Sequence, residues 1–250
     1  MNLGMASMAF RWLNAEQIID FASDFNMNVI EWSACHIPVG ELIKAENVFY
    51  LCKEAGLVIS AYNSDYCVPL ETTHVQPFDE ILHTAQSLGT DCVRIKAGNI
   101  SSEKADDVML YNFMEETLKL AKAAEEKGIT ISFPFCANTL FDNYNSAMAL
   151  LERIDAKNIY IDWRPNQTTS MIYNIYELKM MIRYIKNVHV FYQNTLGENL
   201  PLVEGRDGWQ QYLKILRFKP DRALLLESVP DDSPEEMARD FTLLKELAQG

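Results

Sequence analysis

Residues 118–133 read LKLAKAAEEKGITISF, and this stretch sets the fold class. Its first ten residues carry apolar side chains at the three- and four-residue spacing of an amphipathic helix. Gly128 then provides a helix-ending signal, and Ile129 opens a short β-branched run typical of a buried strand. The stretch therefore predicts a junction between a helix, Val108–Lys127, and a strand, Ile129–Phe133.

The same unit, a short apolar run followed by turn residues and an amphipathic helix, occurs eight times along the chain. Capping-box pairs at Asn14 and Gln17 and at Ser233 and Glu236 mark the starts of the first and last helices. The predicted strands are Leu3–Met5, Val29–Ser33, Val58–Asn63, Cys92–Lys96, Ile129–Phe133, Ile159–Asp162, Val188–Phe191 and Ala223–Glu227. The predicted helices are Asn14–Asn26, Gly40–Glu54, Pro77–Leu88, Val108–Lys127, Asn143–Ile154, Tyr173–Ile185, Asp207–Leu216 and Ser233–Leu247.

Strands that alternate with helices at this spacing predict a parallel sheet with right-handed crossovers. Eight units favour an α/β fold of the (β/α)₈ TIM barrel type, built as a single domain over residues 1–250. The rival is an open doubly wound sheet, which usually brings a glycine-rich phosphate turn after its first strand. Here that turn reads Ala6-Ser7-Met8-Ala9, so no such motif is present.

Composition and charge narrow the classes of function. The chain has 250 residues, 48% of them hydrophobic, and a formal net charge of −13 with a pI near 4.8. An acidic surface argues against nucleic acid and anionic membranes as partners. The five cysteines form no CxxC pair, which indicates reduced thiols, and the first eleven residues do not resemble a signal peptide. We therefore expect a cytoplasmic protein without membrane spans.

The chemistry of such a barrel is expected at the carboxyl ends of its strands and in the loops that follow them. Polar side chains occupy these positions in most of the eight units. They are Glu31, His36, Asn63, Asp65, Lys96, Cys136, Asn138, Asp162, Arg164, His189, Tyr192 and Glu227.

Several segments resemble the xylose-isomerase-like sugar isomerase and epimerase superfamily. LKLAKAAEEKGITIS resembles its helix-four to strand-five passage, and NTLFDNYNSAMALLERIDAKNIYID resembles the segment that follows. NVHVF resembles its strand seven and ALLLESVPDD its strand eight, while LGMASMAF and NVIEWS fit its opening. The match covers nearly the whole chain through many weak motifs. It implies a sugar or polyol as ligand and proton transfer next to a carbonyl.

The resemblance also implies one divalent metal ion, Mn²⁺, Mg²⁺ or Zn²⁺, held by a Glu, an Asp, a His and a Glu on strands five to eight. His189 and Glu227 match two of these ligands. The strand-five Glu falls on Pro134, and the strand-six Asp falls on Arg164. Proline offers no ligand atom and arginine stays positively charged, so the metal site is predicted to be degenerate. Asp162 is the alternative third ligand, although it should lie one layer deeper in the barrel.

A cationic site is the alternative to the metal site. Arg164 and Lys96 would place positive charge where the metal would be. They would either pair with Glu227 and Asp162 or, as substrate-binding residues, hold an anionic or hydroxyl-rich ligand by charge-assisted hydrogen bonds. Under the enzymatic hypothesis, Glu227 and His189 are the catalytic residues. Under the rival hypothesis, the barrel is non-catalytic and binds a small metabolite or a partner protein. A nuclease of the endonuclease IV type is disfavoured, because the chain has four histidines and an acidic balance.

The two proposed catalytic residues each have a structural alternative. A buried histidine that satisfies core hydrogen bonds is the alternative for His189, and a structural ion pair is the alternative for Glu227. Trp163 is predicted to face the helices, and Cys136 to be a small buried side chain. His36 and His74 are predicted to lie in loops. The expected assembly is a homodimer. The further candidates for substrate contacts are Glu31, Asn63, Trp12, Phe10 and Trp209.

Overall fold

The computed structural model describes residues 1–69 and 77–249, and its central feature is a closed barrel of eight parallel strands. The strands neighbour one another in chain order, and the last pairs with the first through Asn2 opposite Ala223 and Met5 opposite Leu226. The strands are β1 (Asn2–Ala6), β2 (Val29–Ser33), β3 (Val58–Cys67), β4 (Cys92–Lys96), β5 (Thr130–Pro134), β6 (Ile159–Trp163), β7 (Ile185–Val190) and β8 (Ala223–Leu226).

One long helix follows each strand, so the predicted (β/α)₈ barrel is confirmed. Short 3₁₀ turns precede several of these helices, as at Ser7–Phe10 and Leu202–Gly205. The helices are α1 (Ala15–Asp24), α2 (Leu42–Glu54), α3 (Phe78–Ser87), α4 (Asp107–Glu125), α5 (Tyr144–Ile154), α6 (Met171–Met181), α7 (Arg206–Leu216) and α8 (Pro234–Gln249). Within the described ranges no helix is long and apolar enough to cross a membrane. His74 lies outside the described residues.

Local signals in the sequence fix the helix ends. The Asn14 side chain accepts a hydrogen bond from the Gln17 amide, and the Gln17 side chain accepts one from the Asn14 amide, both at 2.9 Å. The predicted capping box of α1 is therefore confirmed. At the end of α4, Gly128 adopts a φ of +69°, a conformation that glycine takes at little cost.

Several predicted boundaries differ from the structure, and the third strand runs on to Cys67 where Asn63 was the predicted end. The sequence predicts the sixth helix through Ile185, but α6 ends at Met181 and Ile185 begins β7. The reason is a distant side chain: the Arg222 guanidinium donates to the backbone carbonyls of Ile182 and Ile185 and holds the turn between the two elements. The structure also adds a small hairpin after β7, in which residues 192–193 pair with residues 199–200.

The core lies both inside the barrel and between the barrel and its helices. Trp163 points outward from β6, where its ring packs edge-on against Trp209 and Tyr212 of α7, as predicted. Strand β1 approaches β2 closely at Gly4, where a Cβ atom would lie 1.7 Å from the Val29 carbonyl oxygen. The inward-facing residues near the carboxyl ends of the strands are mostly polar, and they build the site described next.

Candidate active site

A buried arginine lies at the centre of the barrel's upper layer. Arg94 projects inward from the middle of β4, and its side chain is only 7% exposed. Its Nη1 donates to Glu31 Oε1 at 2.8 Å, and its Nη2 donates to Glu227 Oε1 at 3.3 Å. Its Nε lies 3.7 Å from Asp162 Oδ2, which is an ion pair longer than a hydrogen bond. One guanidinium therefore joins three carboxyl groups from three different strands or strand ends.

The barrel's alternation brings these groups together. Glu31 on β2 and Asp162 on β6 alternate with apolar neighbours that face the helices, so both carboxyl groups point inward. Glu227 directly follows β8, and its amide donates to the Val190 carbonyl, which fixes the residue at the strand's end. We call Glu31, Arg94, Asp162, His189 and Glu227 the inner cluster.

His189 completes the inner cluster from β7 and is fully buried. Its Nε2 lies 3.0 Å from Glu31 Oε2, so Glu31 contacts both Arg94 and His189. Within residues 1–69 and 77–249, Nδ1 of His189 has no hydrogen-bond partner. A buried polar atom without a partner is uncommon in a folded protein, and it marks the inner cluster as a place where a further group could bind.

Asp162 forms the lower layer of the inner cluster. It accepts a hydrogen bond from the Ser132 hydroxyl at 2.6 Å and another from the Asn187 amide at 3.2 Å. Burial raises the pKa of this carboxyl, and the nearby Glu31 charge adds to the rise, against the opposing charges of His189 and Arg94. Asp162 was predicted to lie one layer deeper than Arg164. In the structure the Asp162 side chain is fully buried, whereas that of Arg164 is partly exposed.

The other two carboxylates of the inner cluster are held in their charged form. Burial acts to raise the pKa of Glu227, but the charges of His189, Arg164 and Arg94 prevail and hold it well below its usual range. Burial likewise opposes ionisation of Glu31, and the charges of Arg94 and His189 again produce a net lowering of its pKa. The three carboxyl groups in turn raise the pKa of Arg94, against the effect of its burial.

Arg164 connects the inner cluster to solvent. Its Nη1 donates to Glu227 Oε2 at 3.0 Å, and its guanidinium stacks 5.6 Å from the centre of the Phe191 ring. The side chain is 30% exposed and lines a cavity of about 380 Å³ with Phe135, Cys136 and Gln193. Among the described residues, Glu227 is the one recorded acceptor for this guanidinium. Arg164 thus has further donors available for a ligand in the cavity.

The residues of the inner cluster do not fit the divalent metal that the family resemblance implies. The Arg94 guanidinium lies between the carboxylates that a metal would need, and Glu227 is occupied by two arginines. In the part of the chain that the structure describes, no three His, Cys, Asp or Glu side chains are arranged to hold a metal ion. A fixed positive charge and a metal ion at the same place would repel each other.

Lys96 does not join the inner cluster, contrary to the predicted pairing with Glu227 and Asp162. Its side chain is 52% exposed, and its ammonium lies 3.7 Å from Asp65 at the rim of the barrel. The predicted cation is instead Arg94, two residues earlier on the same strand. The sequence Cys92-Val93-Arg94-Ile95-Lys96 could have indicated this. Arg94 lies inside a buried strand, and a buried basic side chain needs acidic partners.

The remaining candidates occupy three kinds of position. Asn63 is buried at the carboxyl end of the barrel, where its amide faces Met8 Sδ at 3.8 Å. Trp12 is 63% exposed, and its ring packs edge-on against Phe10. Phe10 packs against Phe21 of α1, and the Trp209 indole donates to the Phe191 carbonyl. Both of these rings are fully buried, so neither presents a face to solvent.

Comparison with known families agrees with this architecture. The family model described as xylose isomerase-like TIM barrel matches residues 19–247. The chain belongs to this family. A comparison with curated proteins found no match.

Solved structures resemble the chain over almost its full length. The probable 3-DHS dehydratase AsbF from Bacillus anthracis has a TM-score of 0.81 and 15% identity, covering 98% of this chain and 99% of that one. The 3-keto-D-glucoside 4-epimerase YcjR from E. coli has a TM-score of 0.76 and 13% identity, with full coverage of both chains. A xylose isomerase domain protein from Planctomyces limnophilus has a TM-score of 0.73 and 17% identity, covering 99% and 95%. At these identities the likeness shows the fold alone.

Proposed function

We propose that this barrel binds a small hydroxylated carbonyl compound, a sugar or a polyol derivative, and moves a proton at the carbon next to the carbonyl. The observation that carries the proposal is Arg164, which reaches from Glu227 in the inner cluster to the 380 Å³ cavity. It is supported by membership of the xylose isomerase-like family and by the likeness to an enzyme named as a sugar epimerase.

Arg164 is the proposed electrophilic group. A guanidinium donates charge-assisted hydrogen bonds, and these strengthen as negative charge develops on a carbonyl oxygen. Its open donors face a cavity that is lined by Phe135, Phe191 and polar side chains of the loops after β5 to β7. This combination suits a ligand with both ring carbons and hydroxyl groups.

Glu227 is the proposed base, and its basicity depends on the ligand. Without a ligand, the charges of His189 and of two guanidinium groups outweigh burial and hold its pKa low, and a carboxylate in that state is a weak base. A ligand oxygen that takes the hydrogen bond of Arg164 removes one of these groups from Glu227. The pKa of Glu227 then rises towards the range of a working base.

The reaction is proposed to run without a metal ion. Arg94 supplies a permanent positive charge in the inner cluster and keeps Glu31 and Glu227 in place. His189 contacts the same carboxylate, Glu31, and its Nδ1 has no hydrogen-bond partner among the described residues. A cytosolic location and a homodimeric assembly belong to the same proposal.

A non-catalytic barrel is the second candidate. The observation that favours it is that Glu227 forms ion pairs with both Arg94 and Arg164. Glu227 is the most exposed carboxylate of the inner cluster, and these two ion pairs occupy both of its oxygens. In that case the cavity would bind a metabolite and leave its carbon–hydrogen bonds intact.

Deuterium exchange separates the two candidates. The protein is incubated in D₂O, with and without EDTA, together with a panel of ketoses, aldoses and 3-keto-glycosides. Proton NMR follows the signals of the hydrogens on the carbons next to each carbonyl. We expect one class of compound to lose these signals with wild-type protein and to keep them with Glu227→Gln. Binding without exchange would support the non-catalytic barrel, and exchange that EDTA abolishes would contradict metal-free chemistry.

A further inference from the structure

A second pair of reactive side chains lies away from the inner cluster, in the loop after β2. Cys35 is solvent-exposed, and its Sγ lies 3.2 Å from Nδ1 of His36. The Cys35 amide also donates to the Ser33 hydroxyl at 3.4 Å, which helps to fix the loop. The chain has four further cysteines, and all of these are buried or half-buried.

The contacts of His36 determine which of its ring nitrogens carries the proton and which can act as a base towards the thiol. Its Nε2 lies 3.2 Å from the Phe10 carbonyl oxygen, so Nε2 carries the proton and Nδ1 presents its lone pair to Cys35. Burial lowers the pKa of His36, and the charges of Lys44 and Arg11 lower it further, against the hydrogen bond to Phe10. The imidazole is therefore neutral at pH 7 and able to accept the thiol proton.

A cavity of about 390 Å³ opens beside this pair and is distinct from the cavity at Arg164. Its charged lining consists of Arg11, Lys44 and Glu16, with Cys35 and His36 at one side. Two cations against one anion give the cavity a positive balance on a chain whose net charge is −13. Positive surroundings attract anionic reagents, and the exposure of Cys35 gives such a reagent access to the thiol.

We propose that Cys35 is a nucleophilic thiol with His36 as its base, and that the adjoining cavity receives small carboxylate-bearing carbon electrophiles. In the reaction the thiol proton passes to Nδ1 of His36, and the sulfur electron pair forms a bond to the electrophilic carbon. With iodoacetate, the carbon–iodine bond breaks and iodide leaves with the bonding pair. With an unsaturated acid, the carbon–carbon double bond opens and the proton on His36 is transferred to the carbon next to the carboxylate.

The test is the rate of alkylation of each cysteine by iodoacetate and by iodoacetamide at pH 7, followed by peptide mass spectrometry. Half-buried Cys136 in the same molecule is the internal reference. We expect Cys35 to react at least about tenfold faster than Cys136, and His36→Gln to remove about a tenfold advantage, because an unassisted thiol is only a few per cent thiolate at pH 7. Equal rates at the two cysteines, or no effect of His36→Gln, would overturn the role of His36.

The charge preference is tested at an exposed residue, so it does not depend on the folding of a His36 variant. Lys44→Gln is expected to slow iodoacetate at Cys35 on the order of threefold and to leave the iodoacetamide rate unchanged. Lys53→Gln, on the same helix but outside the cavity lining, is the matched control and should change neither rate. A Lys44→Gln variant that slows both reagents equally, or neither, would overturn the proposed preference for anions.

Discussion

Replacement of Arg94 by methionine should lower the free energy of unfolding by about 3–5 kcal/mol at pH 7, because it leaves buried carboxylates without their counter-charge. The figure follows from the contacts of Arg94, which donates to Glu31 at 2.8 Å and to Glu227 at 3.3 Å and lies 3.7 Å from Asp162. Hydrogen bonds to charged groups contribute roughly 1.5–3 kcal/mol each, so two of them give about 3–6 kcal/mol, which overlaps this range. Methionine preserves most of the side-chain volume. The loss of unfolding free energy is therefore caused by the missing charge and not by a new cavity.

The effect of this substitution should depend on pH with a definite sign. In the wild type, the lowered pKa values of Glu31 and Glu227 contribute stability above their unfolded values, and this contribution is lost as pH falls through the folded values. In Arg94→Met the burial of Glu31 is no longer opposed by Arg94, so its folded pKa moves upward. The deficit of the variant against the wild type therefore shrinks as pH falls, because Glu31 is protonated in the folded variant at a higher pH than in the wild type.

Urea unfolding at several pH values measures both effects. Lys96→Met is the matched control, because it makes the same kind of change two residues further along β4, at an exposed ion pair with Asp65. That pair is expected to contribute less than about 1 kcal/mol. If the two variants lose the same stability, or if the deficit of Arg94→Met does not change with pH, the charge of Arg94 does not stabilise the buried carboxylates.

Four further substitutions follow from the structure. Gly4→Ala should be strongly destabilising in urea unfolding, because its Cβ would overlap the Val29 carbonyl, whereas Gly208→Ala in α7, with its nearest contact at 3.5 Å, should stabilise by about 0.5 kcal/mol. Asn14→Ala should lower the unfolding free energy by about 1 kcal/mol through loss of the cap of α1, and an unchanged value would contradict its role. Arg164→Gln should raise the Kd of any exchanging ligand roughly tenfold or more in titration calorimetry, and an unchanged Kd would exclude it from the binding site.

The fold was accessible from the sequence because its signals are local. Each strand–helix unit carries its own periodicity, and the Asn14 cap and the Gly128 turn depend on residues within a few positions. The end of α6 was not accessible in this way. It depends on Arg222, about forty residues further along the chain, whose hydrogen bonds to the carbonyls of Ile182 and Ile185 separate helix from strand.

The inner cluster was predicted only in part, for a related reason. An ion pair between Glu227 and Arg164 was one of the two alternatives for these residues, and the two side chains lie 3.0 Å apart. The cations predicted for this place were Arg164 and Lys96, whereas the central cation is Arg94 and Lys96 lies at the rim. Alternation along a strand places both residues on the inner face, and only the depth of the barrel's layers decides which of them meets the carboxylates.

The most direct test of the account is the metal content of the protein purified without chelators and then incubated with Mn²⁺, Mg²⁺ or Zn²⁺. Elemental analysis by mass spectrometry counts the ions per chain. Because Arg94 holds the carboxylates that a metal would need, we expect far less than one equivalent of any divalent ion. About one equivalent per chain, lost in Glu227→Gln, would contradict the claim that a guanidinium takes the place of the metal.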